Sequence, residues 1–308
     1  MNKHLVIHSE VARALKNARP VVALESTLIT HGLPYPENLE LAAEMEQIIR
    51  QEGATPATIA VLQGKVHVGL DKDELEKLAQ PGEARRKISA RDFGIVLARG
   101  ESGGTTVAAT MIAAHASGIK VFATGGIGGV HRGASYDVSA DLPQLGSTPL
   151  IVVCAGAKAI LDLPATIEYL ETLGVPVIGY QTDEFPAFYS RDSGLPVTVR
   201  ADTPAEIVRI ARAQWEMGIL RAVLVANPLP VELALPAAEI EEKIQVALQE
   251  AQQSHITGAA VTPFLLRRVS ELSQRKSLEA NLALLHHNAR LGAQIACEFV
   301  PEPRVYQV

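Results

Sequence analysis

Cysteine is scarce in this chain. Cys154 and Cys297 are the only two in 308 residues, and they form no C-x-x-C pair. That spacing argues against a zinc site, and both read as buried free thiols. Aromatic residues are also few, at 4%, too few for the stacking platforms that hold single-stranded nucleic acids. Positive charge is not in excess: 28 Lys and Arg against 34 Asp and Glu leave a net charge of −6. This argues against a nucleic-acid partner, though not against one local phosphate site. No apolar run approaches the length of a membrane span. Met1-Asn2-Lys3-His4 begins no signal-peptide hydrophobic region. The expected compartment is therefore the cytoplasm, with no membrane partner.

What is present is a chain that is 47% hydrophobic and 20% charged, enough for a large core. Apolar runs at 21–24, 57–62, 121–124, 150–154, 175–180 and 220–226 read as strands. Helical stretches are expected at 9–18, 37–51, 105–117 and 204–217, with another ending near Leu173. Three more are expected at 237–254, 262–273 and 277–297. Continuous apolar strands alternating with helices predict an α/β fold. We expect a layered α/β/α arrangement with a central mixed, mostly parallel sheet and a helical C-terminal portion. No repeat or linker interrupts the chain, so one domain over residues 1–308 is expected.

The stretch from Lys120 to Lys158 concentrates chemistry-bearing residues. One apolar strand breaks into Gly125-Gly126-Ile127-Gly128-Gly129-Val130-His131-Arg132-Gly133. Asp137-Val138-Ser139-Ala140-Asp141 follows, and a second apolar strand ends in Ala155-Gly156-Ala157-Lys158. Loops at the carboxyl ends of strands are where open α/β sheets bind ligands. The glycine run is no dinucleotide fingerprint, because His131 stands where the third glycine belongs.

Each polar residue admits two readings. Lys158, just past an apolar strand, is either a partly desolvated, nucleophilic amine or a lysine in the first turn of an exposed helix. Glu25 is either a buried general acid or a strand-end acid bonded to Ser26 and Thr27. Asp137 and Asp141, with Ser139 between them, suit a hard divalent ion, or Asp141 caps a short helix. Gly103-Gly104-Thr105-Thr106 is the best anion-binding candidate, as a glycine turn at a helix start; the alternative is an ordinary cap. Lys87 or Arg91 would add positive charge there. His31 and His131 lie in loops, whereas His286 and His287 fall in a helix and read as structural.

Taken together, these motifs resemble the pseudouridine-5'-phosphate glycosidases, which include the indigoidine synthase A-like proteins. The landmarks are Leu24-Glu25-Ser26-Thr27, His31 to Pro36, Gly103 to Thr110, Thr124 to Gly133, Asp137 to Asp141, Val153 to Lys158, Val225-Ala226-Asn227-Pro228 and Thr262 to Leu266. The resemblance spans nearly the whole chain. It implies Lys158 as covalent nucleophile, Glu25 as proton donor and Asp137 as a manganese position. It places Lys87, Val107, Ser139, Ala140 and Asp141 on substrate contacts, with His131 and Asn288 as further pocket residues. Gly104, Thr105 and Thr106 would hold phosphate. Ala90 and His287 depart from the family pattern, where an arginine and an asparagine are expected. The implied reaction is reversible cleavage of pseudouridine 5'-phosphate to uracil and ribose 5-phosphate through a Schiff base, in a cytoplasmic homotrimer. A Schiff-base aldolase on another sugar phosphate and a non-catalytic phosphosugar-binding protein are the alternatives.

Overall fold

The computed structural model describes residues 3–81, 85–133, 137–256 and 261–299. The chain begins with β1 (Leu5–Ile7), α1 (Ser9–Lys16), β2 (Val21–Leu24), α2 (Thr27–His31) and α3 (Glu37–Gln51). β3 (Thr55–Leu62), β4 (Lys65–Val68), α4 (Lys72–Ala79), β5 (Arg86–Ile88) and α5 (Phe93–Arg99) follow. Next come β6 (Gly103–Thr105), α6 (Val107–Ala116), β7 (Val121–Ala123), β8 (Val130–His131), α7 (Asp141–Leu145) and β9 (Ile151–Cys154). Then come β10 (Leu161–Asp162), α8 (Leu163–Thr172), β11 (Val177–Tyr180), β12 (Val199–Ala201), α9 (Pro204–Glu216) and β13 (Val223–Ala226). Helices α10 (Ala237–Gln253), α11 (Val261–Leu272) and α12 (Lys276–Phe299) form the helical C-terminal portion.

Among the described residues an 11-stranded sheet runs β1-β4-β3-β2-β7-β9-β13-β11-β12, with β6 paired to β3 and β5 to β6. Every pairing from β3 to β12 along that path is parallel. Antiparallel pairs in this sheet occur where β4 and β6 meet β3. The sheet is thus mixed and mostly parallel, and the fold is α/β. The sequences explain the burial. β2 (Val-Val-Ala-Leu), β9 (Ile-Val-Val-Cys) and β13 (Val-Leu-Val-Ala) are buried at every position, as parallel strands covered on both faces require. Helix α12 packs on β2, β7 and β9, and the main hydrophobic core includes residues from Val11 to Ala296.

Strand order positions the site. The chain leaves β2 for β3 on one side, while β7 leads to β9 on the other, so the order reverses between β2 and β7. Crevices outside the carboxyl ends of strands form at such reversals. Glu25 follows β2, Thr124 follows β7, and the loop with Lys158 follows β9.

Several expectations change at the level of elements. Gly103-Gly104-Thr105 is strand β6, not a helix-initiating turn, and α6 starts at Val107 behind the cap Thr106. Lys158 is not in a helix; β10 intervenes before α8 begins at Leu163. The strand expected from residue 220 starts at Val223, and Leu220 is exposed. The helix expected at 9–18 is α1, which ends at Lys16 and is capped by His8, its Nδ1 accepting from Glu10 N–H. β6 forms because β3 and β5 supply backbone partners, and β10 because β8 does.

Candidate active site

A cavity of about 600 Å³ opens at these strand ends. Glu25, Lys87, Asp141 and Lys158 all line it. Glu25 is 8% exposed, and its Oε1 accepts the hydroxyl of Thr124. Burial pushes its carboxyl above the usual range. The Asp141 charge pushes the same way, while the Lys158 cation and the Thr124 hydroxyl oppose it. Lys87 sits in β5, its backbone in register with Gly104 of β6. Burial lowers its ammonium pKa, and the Lys158 cation lowers it further, against the pull of Glu25 and Asp141. Two acids and two lysines therefore feel one another's charge in one cleft.

Lys158 is held by its backbone. Its N–H donates to Ile127 O at 3.1 Å, and its own carbonyl accepts from Leu161 N at 3.0 Å. Ile127 N returns a bond to Gly156 O, and Ala155 N donates to Gly125 O. The glycine run and the lysine loop are thus zipped together beyond β7 and β9. The glycines make room for neighbours. A Cβ on Gly128 would lie 2.1 Å from Ser139 Oγ and 2.8 Å from Asp141 Oδ2, and one on Gly126 would lie 2.5 Å from the Phe188 ring.

Asp141 is 6% exposed and engaged on both oxygens. Oδ1 accepts from Ala108 N at 3.0 Å and Oδ2 from Gly128 N at 2.8 Å. The carboxylate therefore ties the first turn of α6 to the glycine loop, and it is the first residue of α7 rather than its cap. His131, Asp137, Ala140, Thr106 and Val107 also line the cavity. Burial lowers the pKa of His31, which lines the cavity as well, and the Lys87 cation adds to this.

Four expected site residues do not line it. Gly104 packs its backbone against Thr30 Oγ1 and Ser26 O. Thr105 donates its hydroxyl to Ile59 O and its N–H to Ser26 Oγ, leaving neither donor for a ligand. Ser139 Oγ accepts from Asp141 N. Asn288, 0% exposed, donates to Thr124 O and Gly125 O and accepts from Asn227. It braces the end of β7 from α12. His287, the departure from the family pattern, contacts Asn227 at 3.2 Å in the same network. Ala90 lines the cavity between Ser89 and Arg91.

Some residues carried no signal of their role in the sequence. Thr124 stands at a strand end and opens a family landmark, but neither signal shows that its hydroxyl holds Glu25. Asn281 and Leu285 of α12, with Thr262, Pro263 and Leu266 of α11, wall the cavity from the C-terminal portion. The run Thr262 to Leu266 was visible as a family landmark, but Asn281 was not. Asp137 is exposed, and the described residues bring no group of three His, Cys, Asp or Glu side chains together as a metal cage. A single carboxylate fits a hard cation that keeps most of its shell as water and substrate oxygen.

A family model described as indigoidine synthase A like protein matches residues 10–298. A protein of Caldanaerobacter subterraneus subsp. tengcongensis named pseudouridine-5'-phosphate glycosidase is 53% identical over 300 residues, covering 97% of each chain. A Paracoccus denitrificans protein of the same name is 55% identical over 295 residues, 95% of this chain and 97% of that one. Among solved structures, a prealnumycin C-glycosynthase in complex with ribulose 5-phosphate superposes with a TM-score of 0.90 at 41% identity, covering 97% of this chain and 98% of that one. An indigoidine synthase A-like protein from Thermotoga maritima gives 0.89 at 38% identity, over 98% and 99%. With this identity along nearly the full length, the chain belongs to the indigoidine synthase A-like family of pseudouridine-5'-phosphate glycosidases.

Proposed function

We propose that this protein cleaves the C-glycosidic bond of pseudouridine 5'-phosphate, reversibly, giving uracil and ribose 5-phosphate. The observation that carries the reading is a buried carboxyl, Glu25, lining the same cleft as Lys158. A carbon–carbon glycosidic bond offers no leaving heteroatom to protonate, so the ribose ring opens first. Glu25, pushed towards its neutral form by burial, gives its proton to the ring oxygen. The opened, conjugated uracil is electrophilic at the sugar's first carbon, and the Lys158 amine adds there. The carbon–carbon bond breaks, its electrons take a proton at uracil carbon 5, and a Schiff base to Lys158 remains. Water hydrolyses it to ribose 5-phosphate and free lysine, so one water is consumed overall.

Lys87 and the α6 terminus at Thr106 and Val107 hold the phosphate in this reading, in place of the full Gly104-Thr105-Thr106 turn. The first-turn amides of a helix lack intrahelical acceptors and favour anions. Asp137 would hold a manganese ion, which supplies positive charge for anionic oxygens and ordered water. His131 and Ala140 are the further substrate contacts. The catalytic unit is the whole chain as one domain, supported by the main core from Val11 to Ala296. The homotrimer is what the family resemblance implies, while the cytoplasmic placement rests on the sequence reading; light scattering tests the assembly.

The experiment is incubation with pseudouridine 5'-phosphate and manganese, with free uracil followed by chromatography and borohydride added before peptide mass analysis. Uracil release and a sugar-phosphate adduct on Lys158 are expected, both lost in Lys158→Ala. An absence of uracil from wild-type protein rules the reading out. The C-glycosynthase likeness supports one second reading, bond formation onto a different acceptor. It predicts the same lysine adduct from ribose 5-phosphate without uracil exchange.

A further inference from the structure

Arg132 does not line the cavity, although His131 beside it does. Its guanidinium reaches instead behind the lysine loop. Nε donates to Leu161 O and Nη2 to Ala159 O, each at 3.0 Å. Nη1 and Nη2 also donate to the two carboxylate oxygens of Glu241 on α10. Ala159 directly follows Lys158, and Leu161 N bonds the Lys158 carbonyl. On the other side, Val130–His131 pairs with Leu161–Asp162, and His131 N donates to Asp137 O at 2.9 Å.

We propose that Arg132 is a positioning residue for Lys158, clamping the loop that carries the nucleophile to the segment that carries His131 and Asp137, with Glu241 of α10 as its anchor. One planar group joins three segments that are distant in sequence. Two main-chain carbonyls and a carboxylate need a fork of fixed donors, which arginine has and lysine lacks. Helix α10 contributes no residue to the cavity, and the Arg132 fork is what joins Glu241 to the lysine loop. The inference rests on Lys158 being the nucleophile of the proposed reaction.

Arg132→Ala should lower kcat by about 100-fold with KM changed by less than about threefold, the scale expected when a reacting group is misplaced by about 1 Å. Arg132→Lys should remain low. Millimolar guanidinium should restore part of the lost rate in Arg132→Ala and none in Lys158→Ala. It has a route, because an outer cavity of about 630 Å³ is lined by Arg132, Ala159 and Glu241. Glu241→Gln leaves both carbonyl contacts in place and should lose less than Arg132→Ala. A substrate-free readout is the rate at which trinitrobenzenesulfonate labels Lys158, followed by peptide mass analysis. It should change in Arg132→Ala and return towards wild type with guanidinium.

Wild-type kcat in Arg132→Ala, or a loss that guanidinium leaves untouched in a protein with native circular dichroism, overturns the clamp. If Arg132→Ala does not fold, Glu241→Ala takes its place, and unchanged kcat with unchanged labelling overturns it equally. Wild-type protein that releases no uracil, yet whose Lys158 labelling responds to Arg132 and guanidinium, sinks the reaction and supports the clamp.

Discussion

Glu25 and Asp141 are 8% and 6% exposed and line one cavity, yet Glu25 accepts a single threonine hydroxyl while Asp141 accepts two backbone amides. A carboxyl with few donors, pushed towards its neutral form by burial, suits the proton donor of the proposed reaction. A carboxylate gripped by two N–H groups is an acceptor and holds loops in place. Two acids of one cleft are thus separated in role by what surrounds them. Residue type and position alone left both acids open; only the family resemblance ranked them, with Glu25 as proton donor and Asp141 as a substrate contact.

The largest effect that would break this comparison is on catalysis at Glu25. Glu25→Gln should cut kcat by about 10²- to 10⁴-fold, the usual worth of a positioned acid, without loss of thermal stability. An active Glu25→Gln enzyme removes the acid from the mechanism. Asp141→Asn should behave oppositely in stability. Its amide NH₂ would face one of the two N–H donors, costing about 2–4 kcal/mol in urea unfolding. Equal stability to wild type would show that these two bonds do not hold the loop.

Gly128→Ala probes the same contact from the other side. Its Cβ would meet Ser139 Oγ at 2.1 Å and Asp141 Oδ2 at 2.8 Å, a clash worth about 1–3 kcal/mol. Combined with Asp141→Asn it should cost less than the sum, because both changes damage one contact. Strict additivity would separate them.

The smallest effect is in pH dependence. A carboxyl whose folded pKa is raised contributes stability that is complete below its unfolded pKa and is lost as pH rises through the folded value. Burial sets that direction for Glu25, so Glu25→Gln should gain thermal stability relative to wild type as pH rises. Activity should fall over the same window as Glu25 loses its proton. The Thr124 hydroxyl favours the charged form, so Thr124→Val should move the alkaline limb of the pH–rate profile upward. A limb unmoved by Thr124→Val would assign it to another group.

Much of the architecture was legible because its signals are local. Val21–Leu24, Ile151–Cys154 and Val223–Ala226 are apolar at every position, which only a strand buried on both faces tolerates. Asp71 with Glu74 forms a capping box, and Thr203 before Pro204 caps α9, so the starts of those helices were marked in sequence. The glycine motifs were less legible. Gly104 and Gly128 both signal close approach, but not what approaches. At Gly104 it is Ser26 and Thr30, and at Gly128 it is Ser139 and Asp141. The expected phosphate turn became a strand because β3 and β5 offered backbone partners on either side.

The sequence by itself determined the layered α/β fold, the family and the residues with chemical potential, since composition, periodicity and motif are properties of neighbouring positions. Tertiary structure alone decided which of those residues share a cleft and which are spent on other contacts. Thr105 and Asn288 are consumed by partners 46 and 164 positions away, and Glu25 meets Thr124 across 99. Whether a polar group is free to act depends on burial and on hydrogen-bond partners, and both are fixed only when distant segments pack together.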